Sequence, residues 1–112
     1  MTNNTPKNSK DELSHIRSLL APVFKETKTL KAIAFGSFAK KNQTRNSDLD
    51  LMIIVETDQR FFDRYEKYEK IHDLIHNRPV DMLIYTPNEL SKISHRVFIK
   101  QILQEGKIIY ES

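Results

Sequence analysis

In the stretch Gly36 to Val55, GSFAKKNQTRNSDLDLMIIV, two aspartates stand directly before the most apolar run in the chain. A carboxylate beside buried apolar groups is costly unless it is paired, so Asp48 and Asp50 ask for a partner. Side chains alternate along a strand, which puts both on one face, one pleat apart. Asp81 opens another apolar segment, VDMLIY. If the two segments are neighbouring strands, all three carboxylates converge at one end of a sheet. Three close carboxylates repel, and one or two would take up a proton. A hard divalent cation such as Mg²⁺ removes that difficulty, because it prefers carboxylate oxygen and keeps positions for water and phosphate.

Gly36-Ser37 lies upstream of this cluster. A glycine at a strand end lets the backbone turn sharply and approach a ligand closely. If residues from Phe38 to Lys40 begin a short helix, its free N–H groups and the Ser37 hydroxyl form an anion pocket, and Lys40, Lys41 and Arg45 add positive charge. A phosphate cradle facing a carboxylate-bound metal suits in-line attack at phosphorus. Each piece alone has a plainer reading, since Gly-Ser is usually a turn and Asp-x-Asp usually a solvated loop or a cap. The ordered combination is far more specific.

Other residues carry weaker signals. His72 and His76 are spaced as a helical metal pair, but His72 falls on an apolar stripe and packing is the favoured reading; His15 and His95 are isolated. The aromatics between Phe61 and Tyr68 could stack bases, although their helical spacing fits a core or a partner-facing surface better. Arg60, Arg64, Lys67 and Lys70 read as a solvated helix face.

The elements that must position these residues follow from periodicity. Residues 1–8 are polar and aperiodic, and are expected to be a disordered tail before a single domain over 9–112. Ser9 and Glu12 fit a capping box, and Leu13, Ile16, Leu20, Val23 and Phe24 repeat at helical spacing to about Lys25. Leu30–Phe35 and Leu49–Val55 read as strands, the latter apolar on both faces and therefore central. One amphipathic helix is expected from Asp58 to about His76, then a strand over Val80–Tyr85. Thr86-Pro87-Asn88-Glu89 supplies an N-cap, a first-turn proline and a capping-box glutamate for a helix broken near Ser94 and stopped by Gly106. Lys107–Tyr110 closes the chain as an edge strand. The fold class is therefore α/β or α+β, a sheet with helices packed on it.

Bulk properties agree with a small globular domain. The chain has 112 residues, 38% hydrophobic and 29% charged, with a net charge of +3. That mild basicity suits an anionic small ligand but is too weak to indicate nucleic acid, which is not the expected partner. No cysteine is present, so thiolate metal sites and disulfides are excluded. No run approaches the roughly 20 apolar residues of a membrane span. The polar N-terminus does not read as a signal peptide, and a cytoplasmic setting is expected. The association of copies stays open.

Taken together, GSFAKKNQTRNSDLDL resembles the signature of the nucleotidyltransferase superfamily related to DNA polymerase β. It is most similar to the minimal nucleotidyltransferases (MNT), whose pattern is Gly-Ser, ten residues, Asp-x-Asp. The likeness extends through RFFDRYEKYEKIHDLI, PVDMLIYTPNEL and FIKQILQEGKIIYES. It implies a mixed sheet of about four strands with flanking helices. Asp48, Asp50 and Asp81 would bind two Mg²⁺ ions, with Asp81 helping to activate the incoming hydroxyl. Gly36, Ser37, Lys40 and Lys41 would hold the triphosphate. The implied reaction is transfer of AMP from ATP to a hydroxyl, in several members a tyrosine of a HEPN toxin encoded alongside, so that the protein acts as an antitoxin. One departure stands out against the usual Gly-Ser-x-Ala-Arg-Gly. Lys40 occupies the arginine position without its planar fork, and Lys41 the second glycine. The rival expectations are a binding module that neutralises its partner by contact alone, and transfer to a small molecule or RNA.

Overall fold

The computed structural model describes residues 9–37 and 48–112, so the expected tail and the connection carrying Lys40, Lys41 and Arg45 lie outside the described residues. The elements are α1 (Ser9–Glu26), β1 (Lys31–Phe35), β2 (Leu49–Ile54), a 3₁₀ helix (Phe61–Tyr68), α2 (Lys70–Leu74), β3 (Val80–Tyr85), α3 (Pro87–Ile93), α4 (Val97–Glu105) and β4 (Lys107–Glu111). The sheet has the order β3-β2-β1-β4. β1 runs antiparallel to both β2 and β4, while β2 and β3 are parallel. This is the mixed four-stranded α+β architecture expected from the sequence.

β2 is interior because its apolar residues serve both faces. Leu49, Leu51 and Ile53 join α1 residues Ile16, Leu20 and Phe24 in the larger core, and Met52 and Ile54 join Ile33, Ile99 and Ile102 in a smaller one. Parallel strands need a crossover. The 3₁₀ helix and α2 supply it on the α1 face, where Tyr68, Ile71 and Ile75 enter the larger core. Beneath them the Tyr68 and Thr29 hydroxyls are 2.7 Å apart, and Thr29 and Thr27 are 2.8 Å apart. The chain of hydroxyls ends on the Val23 carbonyl.

The crossover corrects two expectations. It is not one α-helix over 58–76 but a 3₁₀ segment followed by a five-residue α-helix. A 3₁₀ helix has three residues per turn, so the inward face moves relative to a 3.6-residue count. His72, expected on the apolar stripe, is exposed, and so is His76. Arg64, expected on the solvated face, is buried, its side chain only 5% accessible.

Arg64 grips Glu89 through both terminal nitrogens, at 2.6 and 2.9 Å, and donates to the Gln59 and Ile84 carbonyls at 3.0 Å each. Glu89 also closes the expected capping box of α3, accepting from the Thr86 amide while Thr86 Oγ1 accepts from the Glu89 amide. Arg64 first, and the Thr86 amide second, hold the Glu89 carboxyl down to about 2. Glu12 accepts from Arg78 across 66 residues of sequence, tying α1 to the entry of β3, while the Ser9 side chain expected to share its capping box lies outside what is described.

The C-terminal half follows its sequence signals. α3 ends at Ile93 with Ser94 as its C-cap, and α4 ends at Gly106. A Cβ on Gly106 would strike Ile33 and the Ile102 carbonyl, which explains why that stop is a glycine. β4 then forms an edge beside β1. Among the described residues, no helix is long and apolar enough to cross a membrane.

Candidate active site

The sheet brings the three aspartates to one end. In the parallel pair, Asp50 of β2 stands opposite Asp81 of β3, and on the other side Asp50 stands opposite Phe35 of β1. Residues in register on adjacent strands share a face. For Asp50 and Asp81 it is the face of Met52 and Leu83, which pack in the smaller core with α4 residues. Asp48 precedes β2 and is exposed, Asp81 is exposed, and Asp50 is half-buried. Burial raises the Asp50 carboxyl above its ordinary value, and the negative charges of Asp81 and Asp48 push it further in the same direction. The parallel register sets Asp50 directly opposite Asp81, with Asp48 just before the start of β2.

Gly36 is fitted to this cluster. It ends β1 with φ at +73°, a backbone state that favours glycine. A Cβ there would lie 2.6 Å from Asp50 Oδ2. The glycine thus serves the turn and also leaves room for the carboxylate on the neighbouring strand. Ser37 follows it, half-buried at the same end of the sheet. Lys40 and Lys41, expected to complete a phosphate cradle, lie outside the described residues.

Among the described residues, no three His, Cys, Asp or Glu side chains are gathered closely enough to hold a metal ion. The donor set nevertheless suits one. Asp48, Asp50 and Asp81 offer only hard oxygen, and their repulsion is what a divalent cation would relieve. His72, in α2, and His76, just after it, are exposed, and among the described residues neither belongs to a group of three that could hold a metal.

A pocket of about 130 Å³ adjoins the cluster and was not foreseen from sequence. It is lined by Phe35, Gly36, Phe98, Gln101, Ile102, Glu105 and Gly106. The positions 98, 101, 102 and 105 share one side of a helix, a spacing legible in the sequence. Its meaning depended on knowing that α4 lies beside the end of β1.

Comparison with known families matches residues 19–112 to the model described as Polymerase beta, Nucleotidyltransferase. Comparison with curated proteins gives no match. Among solved structures, the chain is similar to one described as a toxin-antitoxin with AMP-PNP, with a TM-score of 0.64 and 21% identity, covering 86% of this chain and 73% of that one. It is also similar to the toxin-antitoxin MntA-HepT, with a TM-score of 0.58 and 18% identity over 88% of this chain and 72% of that one. A third structure, from Sulfolobus solfataricus and assigned as a nucleotidyltransferase, gives a TM-score of 0.58 at 14% identity over 98% of this chain and 93% of that one. At these identities the structural likeness speaks to the fold.

Proposed function

Because the chain belongs to the polymerase β nucleotidyltransferase family, we propose that it is of the minimal type and transfers AMP from ATP to a hydroxyl of a partner protein. We further propose that the partner is a HEPN-type toxin in the cytoplasm, the acceptor a tyrosine, and this chain the antitoxin. The observation that carries the reading is the register of Asp50 against Asp81 with Gly36 seated on the Asp50 carboxylate. The likeness to toxin–antitoxin structures, one of them holding AMP-PNP, supports the choice of partner and nucleotide.

In this reading Asp48, Asp50 and Asp81 hold two Mg²⁺ ions. When bound, Mg²⁺ neutralises phosphate charge and favours departure of pyrophosphate. The chain's own groups do the rest. Gly36 allows the backbone to come close to the phosphates, the Ser37 hydroxyl donates to a phosphate oxygen, and Lys40 and Lys41 contribute charge. Asp81, exposed on the outermost strand, is accessible to an acceptor from a second molecule. Its carboxylate takes the proton as the acceptor oxygen bonds to the α-phosphorus and the bond to pyrophosphate breaks.

Incubation with labelled ATP, Mg²⁺ and the protein encoded alongside should transfer label to that protein. Asp48→Ala and Asp50→Ala should each abolish transfer. If both variants label as well as the parent, the mechanism is wrong. Calorimetry separates a purely binding role, which would give no heat with Mg²⁺ and ATP that depends on the carboxylates.

A further inference from the structure

The pocket beside the carboxylates shares a wall with them. Gly36 both lines it and clears the Asp50 carboxylate. From there the pocket crosses the end of β1 to Gly106, at the start of β4. β4 is two strands from β2, so its far side stands roughly 10 Å from Asp50. At about 130 Å³ it is too small for a whole ligand of drug size, which needs roughly 300 Å³ or more, but it suits one aromatic ring system.

Its walls have the matching chemistry. Phe35 and Phe98 meet edge to face with ring centroids 6.0 Å apart, and Phe98 is 56% exposed although it is a large aromatic. Ile102, also in the lining, is buried and packs with Ile33 and Met52 of the sheet. Gln101 and Glu105, four residues apart on α4, complete the rim. Neither side chain has a hydrogen bond or ion pair among the described residues. An ionised carboxylate only accepts hydrogen bonds, whereas a carboxamide both donates and accepts.

Building on the nucleotidyltransferase reading, we propose that this pocket holds the base of the nucleotide, stacked on Phe98, with Glu105 accepting from an amino group of a purine. Adenine offers its N6 amine, and guanine its N1–H and N2 amine as a pair; hypoxanthine keeps an N1–H but has no amino group, and it sets a keto oxygen where adenine has its amine. Gln101 meets a ring nitrogen with its amide. The negative charge of Glu105 also sets direction, keeping the triphosphate at the Ser37 side and the base at the α4 side.

The test is nucleotide affinity in the presence of Mg²⁺, measured by calorimetry on the full chain with ATP, GTP, ITP and tripolyphosphate. Phe98→Ala should weaken ATP about tenfold, the loss of one stacked base, while tripolyphosphate affinity is unchanged. The parent should prefer ATP or GTP to ITP, the tighter of the two naming the base, and Glu105→Gln should narrow that preference about tenfold. Equal ATP affinity in the parent, Phe98→Ala and Glu105→Gln, with tripolyphosphate still bound, would place the base elsewhere and overturn the proposal alone. Unchanged ATP affinity with weakened association of the partner protein would assign the pocket to that partner and overturn it likewise. If the parent binds neither ATP nor tripolyphosphate, the nucleotide reading itself falls and takes this proposal with it. Thermal melts of both variants check that the fold is kept.

Discussion

Replacing Gly36 with alanine tests the arrangement at the site without recourse to activity. Two separate costs arise. Alanine in the left-handed region costs roughly 1–2 kcal/mol. Its Cβ would also lie 2.6 Å from Asp50 Oδ2, and relieving such an overlap in a packed setting costs about 1–2 kcal/mol more. The single variant should therefore lose about 3 kcal/mol. In an Asp50→Ala background the overlap is gone and only the backbone cost remains, about 1–2 kcal/mol. The coupling between the two positions is then about 1–2 kcal/mol, well above what distant sites show. For a domain of this size each kcal/mol moves the melting temperature by about 4 °C. Gly36→Ala should lower it by about 12 °C in the parent and by about half that in Asp50→Ala. Asp50→Asn, which keeps the bulk of the side chain, should give no such relief. The reasoning fails if Gly36→Ala costs the same with and without the Asp50 side chain. It fails equally if the substitution costs nothing, since the turn would then not need a positive φ.

Three further outcomes follow from the charges and hydroxyls described above. The Asp50 carboxyl is raised above its ordinary 3.8, so its contribution to stability is full below that value and is lost as pH rises through the folded value. Metal-free Asp50→Asn should therefore melt higher than the parent at pH 7. The advantage should vanish in acid, and added Mg²⁺ should stabilise the parent more than the variant. Glu89 runs the other way, since its carboxyl is held down to about 2 from 4.5. The stability it lends is present above 4.5 and lost as pH falls toward 2. Its side chain is 42% exposed, so screening trims the effect. Glu89→Gln should cost about 2 kcal/mol in urea unfolding at pH 7, with a shallower loss between pH 4.5 and 2. Tyr68→Phe should cost about 1 kcal/mol, the worth of its buried hydroxyl contact to Thr29; an unchanged urea midpoint would show that contact to be idle.

The strands were legible because their apolar runs are short and punctuated. Val80–Tyr85 was read to the residue, and the cap at Thr86 and the stop at Gly106 were read from residue type alone. The meeting of Asp50 and Asp81 was conditional on strand adjacency, which periodicity does not report and the parallel register supplies. The crossover was misread because a 3.6-residue period was applied to a segment winding at three residues per turn. That single error put His72 inside and left Arg64 in solvent. A buried arginine is recognisable only by its partners, and those of Arg64 lie on three separate segments, at Gln59, Ile84 and Glu89. The pocket was hidden for the same reason. Phe98 lies on α4 and Phe35 on β1, and nothing local in the chain says that their rings touch.

The parallel pairing of β2 and β3 bears on how the domain folds. β1 and β2 meet antiparallel, but Asp50 and Asp81 come together only after the intervening crossover has closed on the α1 face. Contacts of that sequence separation are slow to form, because chain entropy is lost before they give anything back. Here the closing step also drives like charges toward one another. Docking β3 beside β2 sets Asp81 opposite Asp50, and a cation able to bridge the aspartates would speed that step as well as stabilise its product.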